Sequence, residues 1–347
     1  MKIKLSLAAV VVVSLVGCGG GGSSDSPSVG VTPPPVVTPP VVTPPASDLQ
    51  KTVPSLTYAA DSQEFAFVSA YNDFRSKLGL GLLAQSPVLD TASANHLKYV
   101  LANDVNSGGT VNMSVINATY NRPQFHVEDA SKAFFTGIQE SDRAKYAGYA
   151  AGYAGEQIAF GGGKGASVAF NALVSTVYHR AALMFQFPRE IGVAVGTDRS
   201  QTLVMEFGYQ AAAKGQYNAS DFLGAYPADK QIGVPLYAGV ETPNPFPELS
   251  TANADFPTKT SYPINVTIQE GLNLTVGSFT VTEAGQSVPL DVRLMTKAND
   301  PNAYLAANTA FIIGKVPFKA NTTYNVVFTG TAGNTAVTKS WSFTTGG

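Results

Sequence analysis

The chain has one cysteine, Cys18, and it closes the first apolar run rather than lying among residues able to pack. Everything after it must hold its shape without a disulfide, by burying apolar surface alone. About 300 residues remain beyond the Gly/Ser/Pro-rich stretch that follows Cys18, enough for two cores of ordinary size. The net charge is −2 with 22 basic and 24 acidic residues, which gives no electrostatic case for a nucleic-acid partner.

Lys2 and Lys4 precede an apolar run from Leu5 to Val16, broken only by Ser6 and Ser14. The run is shorter than the roughly 20 residues a membrane span needs, so it reads as the hydrophobic part of an export signal. No later run is long enough to span either. Leu15-Val16-Gly17-Cys18 resembles the lipobox of bacterial lipoproteins. The resemblance implies a signal peptide over residues 1–17, cleavage before Cys18 and lipidation of its thiol, with the membrane as partner through that lipid. Several acyl chains on one residue hold far better than a single chain. The expected location is the cell envelope, and Gly19, which lacks the acidic character of an inner-membrane retention signal, points to the outer membrane in a Gram-negative host. An ordinary signal peptide with an incidental cysteine is the alternative.

Residues 18–52 are dominated by Gly, Ser, Pro, Val and Thr, with Val-Thr-Pro-Pro recurring at Val31, Val37 and Val42. Such a segment cannot bury a core, and its proline pairs favour an extended spacer reaching on the order of 90 Å. Three alternating prolines, Pro243, Pro245 and Pro247, mark a second break. We place one domain at 53–235 and another at 240–347.

In the first, Asp61 or Ser62 caps a helix with a stripe of Phe67, Val68, Tyr71, Phe74 and Leu78 and a stop at Gly79. Ser86-Pro87 opens a second helix with Leu89, Ala92, His96, Tyr99 and Val100 on one face. A third begins near Gly165, carries Phe170, Val174, Val177 and Ala181 inward, and ends before Pro188. Glu190–Gly196 and Thr202–Gly208 read as paired strands. Helices followed by packed strands indicate an α+β domain.

These residues, in this order, resemble the CAP superfamily (cysteine-rich secretory proteins, antigen 5 and pathogenesis-related 1 proteins). Asn72, Arg75 and Gly79-Leu80-Gly81-Leu82-Leu83 match its opening helix and turn. His126-Val127-Glu128, Phe135-Thr136-Gly137 and Asp142-Arg143-Ala144 fit its middle. Gly148-Tyr149 and Gly155-Glu156-Gln157-Ile158 resemble its Gly-Glu-Asn-Ile motif, with Gln157 for the usual Asn, and Tyr178-His179-Arg180 resembles its Gly-His-Arg segment. The resemblance implies an α-β-α sandwich with a cleft lined by two histidines and acidic residues: His126, His179 and Glu156, with Glu128 standing in for a second acidic member that has no clean counterpart. Two imidazoles and a carboxylate suit a divalent metal such as zinc, held by His126, His179 and Glu156, and the same groups suit proton transfer.

The three histidines of the chain all fall in this domain. His126 and Glu128, two apart, would share one face of a strand. His96, on an apolar helix face, reads as a satisfied core histidine. Ser175 and His179, four apart on one helix, offer a serine nucleophile, but no Gly-x-Ser-x-Gly turn surrounds Ser175. Gly161 to Gly165 is not a phosphate loop, because Gly165 follows Lys164 where Ser or Thr is needed; it reads as a pliable lead into a helix and a rim for the cleft.

After the proline break come short β runs at 264–268, 279–282, 288–294, 311–313, 323–328 and 336–343, the last containing Trp341. Ser340-Trp341-Ser342-Phe343-Thr344-Thr345 resembles the final strand of bacterial Ig-like modules, which implies an all-β sandwich acting as spacer or adhesion module, with Trp341 in its core. Three functions stay open: a binding protein for a lipid, sterol, peptide or glycan; a metal-dependent hydrolase using the same His/Glu set; and a structural or adhesion protein without catalysis.

Overall fold

The computed structural model describes residues 47–105, 115–120, 122–160, 164–199, 201–241, 243–248 and 259–347. Cys18, the signal segment and most of the proline-rich spacer lie outside the described residues, as do Gly161–Gly163. The described residues all belong to one compact unit.

The chain runs α1 (Gln63–Leu78), β1 (Ala84–Gln85), α2 (Pro87–Asn103), β2 (Ile116–Asn117), β3 (Arg122–Pro123), a single 3-10 turn (Gln124–His126), α3 (Glu140–Tyr146) and β4 (Ala151–Phe160). Then come α4 (Ala166–Val174), α5 (Tyr178–Leu183), β5 (Glu190–Val195), β6 (Thr202–Gln210), β7 (Leu223–Tyr226) and β8 (Gln231–Val234). Six further strands finish the chain: β9 (Ile264–Ile268), β10 (Leu274–Glu283), β11 (Val292–Thr296), β12 (Thr309–Gly314), β13 (Thr323–Ala332) and β14 (Thr335–Thr345).

Local chemistry sets the ends of the first helices. Ser62 accepts the Phe65 N–H at 3.1 Å, and Gly79 stops α1 at a φ of 77°, a left-handed conformation that glycine adopts without strain. Pro87 opens α2 where a missing N–H costs nothing.

The first sheet has the order β1-β5-β6-β4 and carries helices on both faces. Val193, Leu203, Met205 and Ala159 pack with Phe67, Tyr71 and Phe74 of α1 and Phe170 of α4. Their neighbours along the strands, Ala194, Val204 and Ile158, pack with Leu97, Tyr99 and Val100 of α2. This alternation is the two-residue repeat of a strand buried on both sides. The helix over β5 sits very close: a Cβ on Gly192 would lie 2.0 Å from the Leu89 carbonyl carbon.

The β-rich region consists of two four-stranded sheets, β10-β13-β14-β8 and β11-β12-β9-β7. Here the expected boundary moves. β7 and β8 precede the proline break, yet β7 pairs antiparallel with β9, and β8 pairs parallel with β14. Each supplies an edge strand that the later segments lack, so the prolines interrupt the second region rather than preceding it. Trp341 is buried there against Phe279, with Phe328 and Phe343 in the same core. Buried Arg180 joins the regions: its Nη1 donates to the Pro263 carbonyl at 2.6 Å and to Asn265 Oδ1 at 3.1 Å, and its guanidinium lies 4.5 Å from the Tyr262 ring centroid. The architecture is mixed α/β with several sheets. No helix among the described residues is long and apolar enough to cross a membrane.

Candidate functional site

The ladder register places Glu156 of β4 opposite Glu206 of β6, so both side chains leave the sheet on the α2 face. Helix α2 lays His96 over them, α3 inserts Arg143, and the 3-10 turn brings in His126. Arg143 is fully buried and divides its guanidinium between the two carboxylates: Nη2 lies 2.6 Å from Glu156 Oε2 and Nε 3.3 Å from Glu206 Oε1. Its Nη1 donates to the His126 carbonyl at 3.3 Å. One cation therefore faces two buried carboxylates.

The two carboxylates titrate in opposite directions. Burial opposes the charge on Glu156, but Arg143, His96 and the His126 hydrogen bond together outweigh it and hold the carboxyl well below its usual range. Glu206 goes the other way, because burial and the Glu156 charge exceed the pull of Arg143 and raise it well above the usual range. Glu206 Oε2 has no hydrogen-bond partner among the described residues.

His126 Nδ1 lies 2.6 Å from Glu156 Oε1. An ionised carboxylate only accepts, so Nδ1 carries the proton and Nε2 keeps its lone pair. Burial lowers the His126 pKa despite the carboxylate, which keeps the ring neutral. His96 is buried, with Nδ1 2.9 Å from Glu128 Oε1 and Nε2 3.0 Å from the Phe125 carbonyl, so both ring nitrogens are engaged.

His179 is held by a separate device. Glu241 accepts the N–H groups of Val177 and Tyr178 at 2.7 and 2.9 Å, which ties down the start of α5. The same carboxylate lies 3.5 Å from His179 Nδ1, and Thr176 Oγ1 lies 3.3 Å from it. Because the Thr176 hydroxyl gives its proton to the Leu173 carbonyl at 2.7 Å, it is free to accept from Nδ1. Both imidazoles are thus anchored through Nδ1, and neither Nε2 has a partner among the described residues.

His126 and His179 line one cavity of about 510 Å³, together with Glu156, Gln157, Ile158, Arg122 and the rings of Phe125, Tyr178 and Tyr304. Its walls are mostly apolar and its polar groups few, the usual make-up of a ligand pocket.

Residues 68–207 match the model of the cysteine-rich secretory protein family, CAP. These residues form a CAP domain. Among solved structures, the chain is similar to an outer surface protein from Borrelia burgdorferi, at 16% identity and a TM-score of 0.32, over 44% of this chain and 96% of that one. It is also similar to a DUF4426 family protein from Pseudomonas aeruginosa, at 18% identity and a TM-score of 0.20, over 29% of this chain and 77% of that one. No curated protein matches the chain.

Within the CAP domain the expected residues separate into roles. His126 and Glu156 meet directly, and His179 lines the same cavity, paired with Glu241 rather than Glu156. Glu128 shares no strand face with His126, which ends the 3-10 turn. It turns inward instead, to His96 and to the N–H groups of Thr136 and Gly137 at 2.5 and 3.2 Å, so it organises a loop.

A metal held by His126, His179 and Glu156 together meets an obstacle in the donor set. Glu156 Oε1 is taken by His126, and Oε2 by Arg143 and His96. The carboxylate stands behind His126 as an orienting group, a common second-layer role for a carboxylate near an imidazole. Among the described residues no group of three or more His, Cys, Asp or Glu is disposed around a common point. Two imidazoles supply half of a tetrahedral shell, one ligand short of an ordinary catalytic zinc site.

Ser175 and His179 do not share a helix. α4 ends at Val174 and α5 begins at Tyr178, and Ser175 Oγ donates to the Ala172 carbonyl at 2.7 Å. The hydroxyl beside His179 belongs to Thr176. Reading the sequence alone passed over the roles of Arg143, Glu206 and Glu241. A signal was present for the last two: each is a lone carboxylate, one in an otherwise apolar strand and one at the head of a proline-rich break.

Proposed function

We propose that the CAP domain is a ligand-binding module displayed at the bacterial cell envelope, with Cys18 lipidated as its anchor and the proline-rich segment as its spacer. The β-rich region, read as an Ig-like sandwich, serves as an adhesion or spacing module. One observation carries the binding reading. Two imidazoles lining a single cavity are each fixed through Nδ1, which leaves both Nε2 atoms available to what enters. The unprotonated Nε2 of His126 accepts a hydrogen bond or coordinates an ion, and the apolar walls supply the remaining contact. A hydrolase built on three protein ligands to zinc receives no support from the donor set, since Glu156 is already committed.

The test is retention of ligand by full-length protein offered a mixture of lipids, peptides and cell-wall glycan fragments, with bound species identified by mass spectrometry. Ala182→Trp fills the cavity from α5. Wild type is expected to retain a species that this variant loses while melting at a similar temperature. Equal retention by both overturns the reading. For the anchor, Cys18→Ser is expected to move the protein from the membrane to the soluble fraction, and unchanged membrane retention defeats that part.

A further inference from the structure

We propose that the ligand of this cavity is an extended peptide, which adds as a strand to the free edge of β4. The inference rests on the binding reading above and narrows it to one class of ligand.

Gly196 N–H donates to the Thr202 carbonyl at 2.7 Å, so Thr202 and the other even-numbered residues of β6 bond toward β5. In an antiparallel ladder successive residues point to opposite neighbours, so Leu203, Met205 and Phe207 bond toward β4. Their register partners are Ala159, Gln157 and Gly155. The residues between, Glu156 and Ile158, must turn their N–H and C=O groups the other way. β4 is the last strand of its sheet, so that way is the open edge, and both residues line the cavity.

Exposure supports the assignment. The Glu156 side chain is 0% exposed, yet the residue as a whole is only half-buried, so its accessible atoms are main chain. The cavity floor therefore offers donor and acceptor pairs about 7 Å apart, the spacing of alternate residues in a strand. An independent observation also calls for a polar ligand. Gln157 is buried, 6% exposed, and lines the cavity with neither its amide oxygen nor its amide nitrogen bonded to any described residue. A buried amide left without partners is costly. A peptide supplies the complementary donors and acceptors to both the edge and the amide, whereas an acyl chain or sterol ring supplies few. Strand addition of this kind takes its affinity from main-chain bonds and its specificity from pockets for alternate side chains. His126, Phe125, His179 and Tyr178, which line the same cavity, supply the side chains for those pockets.

The test pans a random decapeptide library against full-length protein, with Ala182→Trp as the blocked control, and scans the best binder by single N-methylation. Alternate peptide amides are expected to lose about tenfold in affinity when methylated, while those between them tolerate it. Gln157→Leu is expected to weaken the same peptide several-fold without lowering the melting temperature. Enriched peptides that tolerate methylation at every amide overturn strand addition but leave the cavity as a binding site. Retention of a lipid or glycan with no peptide enriched does the same. No species retained beyond the blocked control removes both proposals.

Discussion

Arg143 holds two carboxylates that behave as different chemical groups. At neutral pH Glu156 is an anion and Glu206 is held toward its protonated form, so one positive charge is matched by one negative charge rather than two. Removing Arg143 leaves the Glu156 charge buried without its main partner. Arg143→Met is expected to cost about 3–5 kcal/mol in urea denaturation, the usual penalty for breaking a buried pair. The carboxylates should then part company. Glu206→Gln replaces a neutral acid with a neutral amide and is expected to shift stability at pH 4, where the carboxyl is protonated folded and largely protonated unfolded, by less than about 1 kcal/mol, whereas Glu156→Gln is expected to cost several times more. The pH dependence follows from linkage. Stability contributed by Glu206 is complete below its unfolded pKa, about 4.3, and is lost as pH rises toward its elevated folded value. That of Glu156 is complete above the same point and is lost as pH falls toward its depressed folded value. Glu206→Gln should therefore gain on wild type as pH rises from 4 to 7. Equal losses for the two glutamine variants would refute the assignment.

At the scale of elements, the site depends on how closely α2 lies on the sheet. Gly192 has no Cβ because the Leu89 and Asp90 backbone occupies that space, at 2.0 and 2.1 Å from where a Cβ would be. Neither backbone can give way by a side-chain rotation, so Gly192→Ala must lift α2, and with it His96 and Ser93, which bonds to the Gly192 carbonyl at 2.9 Å. We expect a loss of about 1–3 kcal/mol or more by thermal unfolding. A variant that melts like wild type would show that the layers have slack. Elements of this kind were legible where a local signal was strong. Ser62, Gly79 and Ser86-Pro87 gave the ends of α1 and α2, and alternation gave β5 and β6. The break between α4 and α5 was not legible, because its cause is Glu241, a carboxylate 64 residues from Val177 in sequence that captures two backbone N–H groups. The site was legible in its types, His126, Glu156 and His179, and opaque in its pairings. Which carboxylate meets which imidazole is decided by sheet register and by loops, and neither leaves a local trace in the sequence.

The molecule as a whole is less divisible than its composition suggests. The proline break near Val240 invites a cut, but the β-rich sheets take β7 and β8 from before it, and α5 takes its capping carboxylate from Glu241 just after Val240. Arg180 extends the same interlock, because it satisfies the Pro263 carbonyl and the Asn265 side chain from within the CAP half. A fragment ending at residue 240 would leave β7 and β8 without partners, strip α5 of its cap and expose the Arg180 guanidinium that Tyr262 covers. Unpaired strands are also ready templates for association between chains. Residues 47–240 expressed alone are therefore expected to lack a cooperative thermal transition and to elute as aggregates, whereas residues 47–347 unfold in one step. If the fragment instead melts sharply as a monomer within a few degrees of the longer chain, the contacts across the proline break contribute little, and the CAP half folds on its own resources.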